Sequence, residues 1–221
     1  MSKTAIIIGA TGLTGGILTQ QLLEDNRYKS VKLISRRTLG LEHPKLEEHL
    51  IDMQQLKAHK DIFKSDELFC CIGTTKAKTP NESAYRKVDY DIPVNAARIC
   101  KENGISTFGV MSSLGADSKS RIFYSRLKGE MERAVIDLGI DKTIIVRPSL
   151  IAGKRTEKRL GEGIGKLVMK LLNPIMLGSL KVYRAIHPES IAKAMIWLAN
   201  NPVEKTIFLS DELQKISEYG D

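Results

Sequence analysis

Tyr124 and Lys128 stand four residues apart in a stretch of helical pattern, and so on one helix face. Ser112 and Ser113 precede them, closing an apolar run that reads as a strand. Together these residue types suit proton transfer at a carbonyl or hydroxyl. A free phenol has a pKa of about 10, too high for a base at neutral pH. A neighbouring ammonium favours the phenolate and lowers that value by ~1–3 units. Tyr124 would then give or take the hydroxyl proton, and Ser113 would hydrogen-bond the oxygen on which charge develops. Lys128 also has donors to spare for a ribose. The tyrosine–lysine spacing alone carries little, since Tyr28 and Lys32 repeat it where the pattern runs into a strand. Order and place carry the reading.

The place is set by Gly9-Ala10-Thr11-Gly12-Leu13-Thr14-Gly15, which joins an apolar run to a helical pattern. Glycines there allow a tight turn and close approach of backbone to a pyrophosphate. The phosphates would sit at the helix N-terminus, held by the free N–H groups around Thr11, Gly12, Leu13 and Thr14. The end of the second strand selects the nucleotide. An acid about 20 residues past the turn would bind a ribose 2′-hydroxyl. The chain has Ser35-Arg36-Arg37 instead. Two guanidinium groups pair with a 2′-phosphate, so NADP(H) is expected. Asp52 and Met53 are expected at the adenine edge, and Gly73 with Thr74 beside the adenosine.

These segments meet only if the fold gathers strand ends. Short apolar runs predict strands over 3–8, 31–35, 46–52, 67–72, 106–111, 142–146 and 206–209. Helical patterns fall at 14–25, 82–103, 119–138 and 188–200, and Gly104 and Gly139 follow two of them. Strands alternating with helices imply an α/β fold with a parallel sheet covered on both faces. Residues 1–221 are read as a single domain, with 153–187 as a small C-terminal substrate-side subdomain or lid.

Composition narrows the class. Of the 221 residues, 42% are hydrophobic and 27% charged, an ordinary globular balance. No apolar run approaches the ~20 residues of a membrane helix. The N-terminal run Ala5–Ile8 is too short for a signal core, and a cytoplasmic location is expected. Cys70, Cys71 and Cys100 lack metal-ligand spacing, so no metal site is expected. The net charge of +8 is concentrated between Gly153 and Arg184, where eight basic residues meet two acidic ones. Few aromatics lie there, which disfavours nucleic-acid stacking. Ile164, Leu167, Val168, Leu171 and Leu172 fall at helical spacing within that segment. Residues 164–177 could form a lid, a peripheral membrane contact or a core-packed helix with a solvated rim.

The chain resembles an atypical short-chain dehydrogenase/reductase, close to the Tat-interacting-protein-like oxidoreductases. The matching residues are Gly9 to Gly15, Arg36-Arg37, Cys71-Ile72-Gly73-Thr74-Thr75, Ser112-Ser113, Tyr124 with Lys128, and Arg147-Pro148. The resemblance implies a Rossmann-type doubly wound parallel sheet, NADP(H) binding and a Ser/Tyr/Lys triad. It also implies that Pro148 borders the nicotinamide. Tyr124 follows Ser113 by eleven residues, slightly closer than usual, which leaves Ser112 and Ser113 both as candidates. For the helix asparagine that often completes the proton relay, Asn95 is the nearest candidate. The expected activity is hydride transfer to or from a small carbonyl or alcohol, by a monomer or homodimer. The rival is a redox-sensing regulator that binds the same nucleotide without turnover and acts through a protein partner.

Overall fold

Along Ala5-Ile6-Ile7-Ile8, alternate side chains enter different cores. Ala5 and Ile7 join one apolar cluster with Leu18, Leu33 and Phe69. Ile6 and Ile8 join the other, with Ile34, Phe63 and Phe108. A strand buried on both faces reads as a continuous apolar run, as this one does. In the computed structural model, which describes residues 2–153 and 178–219, that strand is the middle of a three-layer α/β sandwich.

Seven strands form the sheet: β1 (Lys3–Ile8), β2 (Tyr28–Ser35), β3 (Leu46–Leu50), β4 (Glu67–Cys70), β5 (Thr107–Met111), β6 (Lys142–Arg147) and β7 (Ile207–Leu209). Their order is β3-β2-β1-β4-β5-β6-β7, and all six pairings are parallel. This is the doubly wound arrangement expected from the sequence, with the direction of winding reversed between β1 and β4. One face is covered by α1 (Leu13–Glu24) and by the helix Pro188–Asn200. The other is covered by the 3₁₀ segment Met53–Ile62, by α3 (Ile92–Glu102) and by α4 (Phe123–Ile136). We label Glu82–Arg86 α2, Pro188–Asn200 α5 and the closing helix Ser210–Ile216 α6.

The long helix expected over 82–103 is interrupted. A π-helical turn at Lys87–Asp91 separates α2 from α3. Such bulges often mark functional positions, and this one carries Asp89. β2 begins at Tyr28, three residues before the expected start. Exposed Lys29 breaks the apolar pattern there, while buried Tyr28 is held by a bond across the sheet. Helix α4 starts at Phe123, since Asp117 to Ser120 spend their backbone groups in turns. The expected amphipathic segment 164–177 lies outside the described residues. What is described of 153–187 is Gly153, a 3₁₀ turn at Gly178–Tyr183 and a parallel bridge between Ile151 and Ile186.

The rim at the strands' N-terminal ends is locked by a polar network. Lys3 Nζ lies 2.6 Å from Glu67 Oε1 and donates to Asn200 Oδ1 at 2.8 Å. Tyr28 donates to Glu67 Oε2 at 2.6 Å and accepts from Asn200 Nδ2 at 2.7 Å. Burial, and then the Glu67 charge, push the Tyr28 phenol far above its usual range. Every member has a partner, which is what a buried polar cluster needs to be stable.

Candidate active site

Because every strand points the same way, the C-terminal ends of β1 to β6 lie along one rim. That rim receives the glycine turn, Arg36-Arg37, Asp52-Met53, Gly73-Thr74, Ser112-Ser113 and Pro148. Sequence reasoning named these segments separately, and the sheet lines them up where open α/β folds take ligands.

After β1, Gly9 takes φ +91°, and a Cβ there would fall 2.8 Å from the backbone of Cys71 and Ile72. Only glycine lets the turn pass so close to the β4 end. Gly15 is pressed as hard, since an added Cβ would reach 2.2 Å from the Gly9 carbonyl oxygen. Gly12 caps α1 without any side-chain bond, and no acid lies in the helix's first turn. The first N–H groups and the positive helix end therefore face the rim, the arrangement that binds phosphate. Thr11 and Gly12 are exposed, Leu13 half-buried and Thr14 buried. The Leu13 side chain packs under Gly153, where a Cβ would meet it at 2.9 Å.

At the β2 end Ser35 donates to the Arg37 carbonyl at 2.6 Å and holds the turn. Arg36 and Arg37 are both exposed, and neither pairs with a carboxylate among the described residues. Asp52 is exposed and accepts from the Gln54 amide at 2.9 Å, capping the segment that follows. The Met53 side chain packs in the core, which leaves its backbone at the rim.

The centre of the site is an ion pair. Lys128 Nζ lies 2.8 Å from Asp89 Oδ1, with the side chains only 3% and 1% exposed. The second carboxylate oxygen, Oδ2, accepts from the Thr74 amide at 2.8 Å. One buried side chain thus joins the β4 loop to α4. Burial, the largest single influence, pulls the Lys128 pKa down, but the Asp89 charge and hydrogen bond together with the Tyr124 phenol outweigh it. The net result is an ammonium held above the ordinary lysine value. Lys128 also approaches the Met111 carbonyl at 3.4 Å, next to Ser112.

Tyr124, one turn earlier on α4, is 39% exposed and so open to a substrate. The Tyr85 ring meets it edge-on, with centroids 6.1 Å apart and planes at 78°. Tyr85 in turn donates to the Thr74 carbonyl at 3.0 Å. Ser112 and Ser113 both present buried hydroxyls that find no partner. Ser113 is the less buried of the two. The Ser112 amide donates to the Val146 carbonyl at 2.8 Å, and the Leu114 amide to that of Pro148 at 2.9 Å. Those bonds set the serines beside Pro148, while the neighbouring Arg147 is tied to Glu132 at 2.5 Å.

Asn95 does not partner Lys128. That position is taken by Asp89, six residues earlier, where the π-helical turn swings its carboxylate inward. Sequence reasoning missed Asp89 and Tyr85. A signal was available: Tyr85, Asp89, Ile92 and Ala96 follow helical spacing and are all buried, so an acid interrupts an apolar stripe. The buried thiols Cys70 and Cys100 are pushed up to about 12 by desolvation, and Cys71 higher still, which leaves them unreactive. No group of three or more His, Cys, Asp or Glu among the described residues is placed to hold a metal.

The residues present fit a dinucleotide. A glycine cradle that a Cβ would fill would take its pyrophosphate, two exposed guanidinium groups stand at the end of β2, and orphaned serine hydroxyls stand at the end of β5.

Comparison with known proteins agrees with this geometry. Residues 9–202 match the model of the NAD(P)H-binding family. The HTATIP2 protein of Rattus norvegicus is 32% identical over 75% of this chain and 69% of its own length. The protein of Debaryomyces hansenii named FMP52, mitochondrial, is 32% identical over 90% of this chain and 89% of its own. Among solved structures, the Bordetella bronchiseptica enzyme WbmH in complex with NAD+ superposes with a TM-score of 0.70. It is 12% identical, covering 99% of this chain and 80% of that one. The ADP-L-glycero-D-manno-heptose-6-epimerase of Helicobacter pylori gives 0.68 at 17% identity, over 99% and 82%. At such identities the structural likeness is one of fold.

Proposed function

This chain belongs to the NAD(P)H-binding family, with the character of an atypical short-chain dehydrogenase/reductase, and we propose that it is an NADP(H)-dependent oxidoreductase acting on a carbonyl or alcohol. The observation that carries the proposal is the buried Asp89–Lys128 pair beneath an exposed Tyr124. A protein that only senses a nucleotide has no use for an ammonium held charged under an accessible phenol.

The nucleotide would lie along the rim. The α1 N-terminus and the Gly9–Gly15 turn would hold its pyrophosphate, and Arg36 and Arg37 would pair with its 2′-phosphate. When bound, the nicotinamide supplies the hydride acceptor or donor. Tyr124 moves the hydroxyl proton of the substrate. Lys128 stabilises the phenolate form of Tyr124 and, through its remaining N–H bonds, orients the ribose. Ser113 donates its unpartnered hydroxyl to the substrate oxygen as charge develops there. Asp89 keeps Lys128 in place and, through Thr74, holds the adenosine-side loop in register with it.

The test is a pair of titrations by nucleotide fluorescence. NADPH should bind more tightly than NADH, and Tyr124→Phe should leave that affinity nearly intact while lowering turnover roughly 10²–10⁴-fold in a panel of small aldehydes and alcohols. Equal binding of the two nucleotides removes the NADP(H) assignment. Turnover undiminished in Tyr124→Phe removes the catalytic one.

A further inference from the structure

We infer that Arg184 anchors an oxyanion, a carboxylate above all, on the substrate of this site, so that the enzyme prefers carbonyl compounds carrying a negative charge on an apolar body. The inference rests on the oxidoreductase reading and extends it to substrate class.

Arg184 stands beside the reacting end of the rim through a short chain of bonds. The Leu114 amide, next to Ser113, binds the Pro148 carbonyl. Ser149, next to Pro148, donates its hydroxyl to the Arg184 carbonyl and shares a 2.9 Å bond with Ser210. The Ile186 amide binds the Leu150 carbonyl at 3.0 Å, and the Ala152 amide returns to Ile186 at 2.8 Å. Residues 149–152 and 184–186 therefore run side by side past the end of β6, fixing the Arg184 backbone.

Its side chain is unsatisfied. The Nε atom is buried and has no hydrogen-bond partner, and no carboxylate among the described residues pairs with the guanidinium. Arg184, with its buried Nε, differs both from the exposed Arg36 and Arg37, which also lack a carboxylate, and from the arginines that have one. Arg27 is matched to Asp25, Arg86 to Glu130 and Arg147 to Glu132. An arginine that is partly desolvated and unpaired has an open fork suited to two oxygens of one carboxylate. The surroundings define the rest of the ligand. Tyr183 precedes Arg184 and Leu150 lies on the paired segment 149–152; they are 54% and 50% exposed. They offer contact to an apolar body, not to a sugar.

The experiment compares two aldehydes of nearly the same shape, benzaldehyde and 4-carboxybenzaldehyde. Each is titrated calorimetrically into the protein–NADP+ complex, so that the result does not depend on turnover. The acid should bind at least tenfold more tightly in the unmodified protein. Arg184→Gln should remove that preference, and Arg184→Lys should restore part of it. Lys29→Gln, an exposed charge at the start of β2 on the opposite rim, is the control for net charge and should keep the preference. Equal affinity for the two aldehydes, shared absence of binding included, overturns the inference. So does a preference that survives Arg184→Gln, or an Arg184→Gln protein that loses NADPH instead of the acid. If the acid binds through Arg184 but is never reduced, the anchor stands and the hydride-transfer reading falls.

Discussion

Asp89 and Lys128 form a buried ion pair at 2.8 Å, and the same carboxylate accepts from the Thr74 amide at 2.8 Å, so one residue joins the loop after β4 to helix α4. Its removal has a defined electrostatic outcome. In the native protein the Lys128 pKa is raised, so its charge and its contribution to stability are complete at neutral pH. Both are lost only as pH climbs through a value above the ordinary lysine pKa of about 10.4. In Asp89→Asn the desolvation of Lys128 loses its strongest counterweight and the pKa falls. Turnover should then acquire a new alkaline limb and recover as pH is lowered, which a pH–rate profile reads directly. Breaking a buried pair costs about 3–5 kcal/mol, so the melting temperature should drop as well. An unchanged alkaline limb would show that Lys128 does not owe its charge to Asp89.

Tyr124→Phe keeps the ring against Tyr85 and removes only the hydroxyl. General acid–base groups contribute roughly 10²–10⁴-fold, and a loss of that size in kcat is expected. The melting temperature should hardly move, because the side chain is well exposed.

Arg36→Ala combined with Arg37→Ala should weaken NADPH and spare NADH. Hydrogen bonds to charged groups are worth about 1.5–3 kcal/mol each, which corresponds to a loss of roughly ten- to a hundredfold or more for NADPH. The preference of the unmodified protein should also shrink with added salt, since both guanidinium groups are exposed. Isothermal titration at two ionic strengths checks both statements.

The two serines should separate cleanly. Ser112→Ala deletes a buried hydroxyl that has no partner, and removing an unsatisfied group is near neutral or stabilising. Ser113→Ala should instead lower kcat with little change in melting temperature. If Ser112→Ala is the variant that loses turnover, the roles are exchanged.

How far these features are visible in sequence depends on how local their causes are. β1 and α5 were readable to the residue, because an apolar run and a proline-led helical stripe are local signals. The glycine turn was readable since its spacing is itself the geometry. Asp89 left only a partial trace, an acid within an apolar stripe, because its burial depends on Lys128, thirty-nine positions away. The early start of β2 at Tyr28 depends likewise on Glu67 across the sheet. Helix α6 was missed since its seven residues are too few to show a period. Arg184 looked like one more cation in a basic stretch, and its buried Nε without a partner sets it apart.

The bond from Lys3 to Asn200, with α1 packed against α5, has a consequence for biosynthesis. β1 has one of its faces roofed by a helix that is made about 180 residues after it. Leu18 and Leu22 stay without their full shelter until residues near 200 have been made. A nascent chain halted before Pro188 is therefore a sticky half-sandwich, and translation must pass α5 before this fold can close on itself.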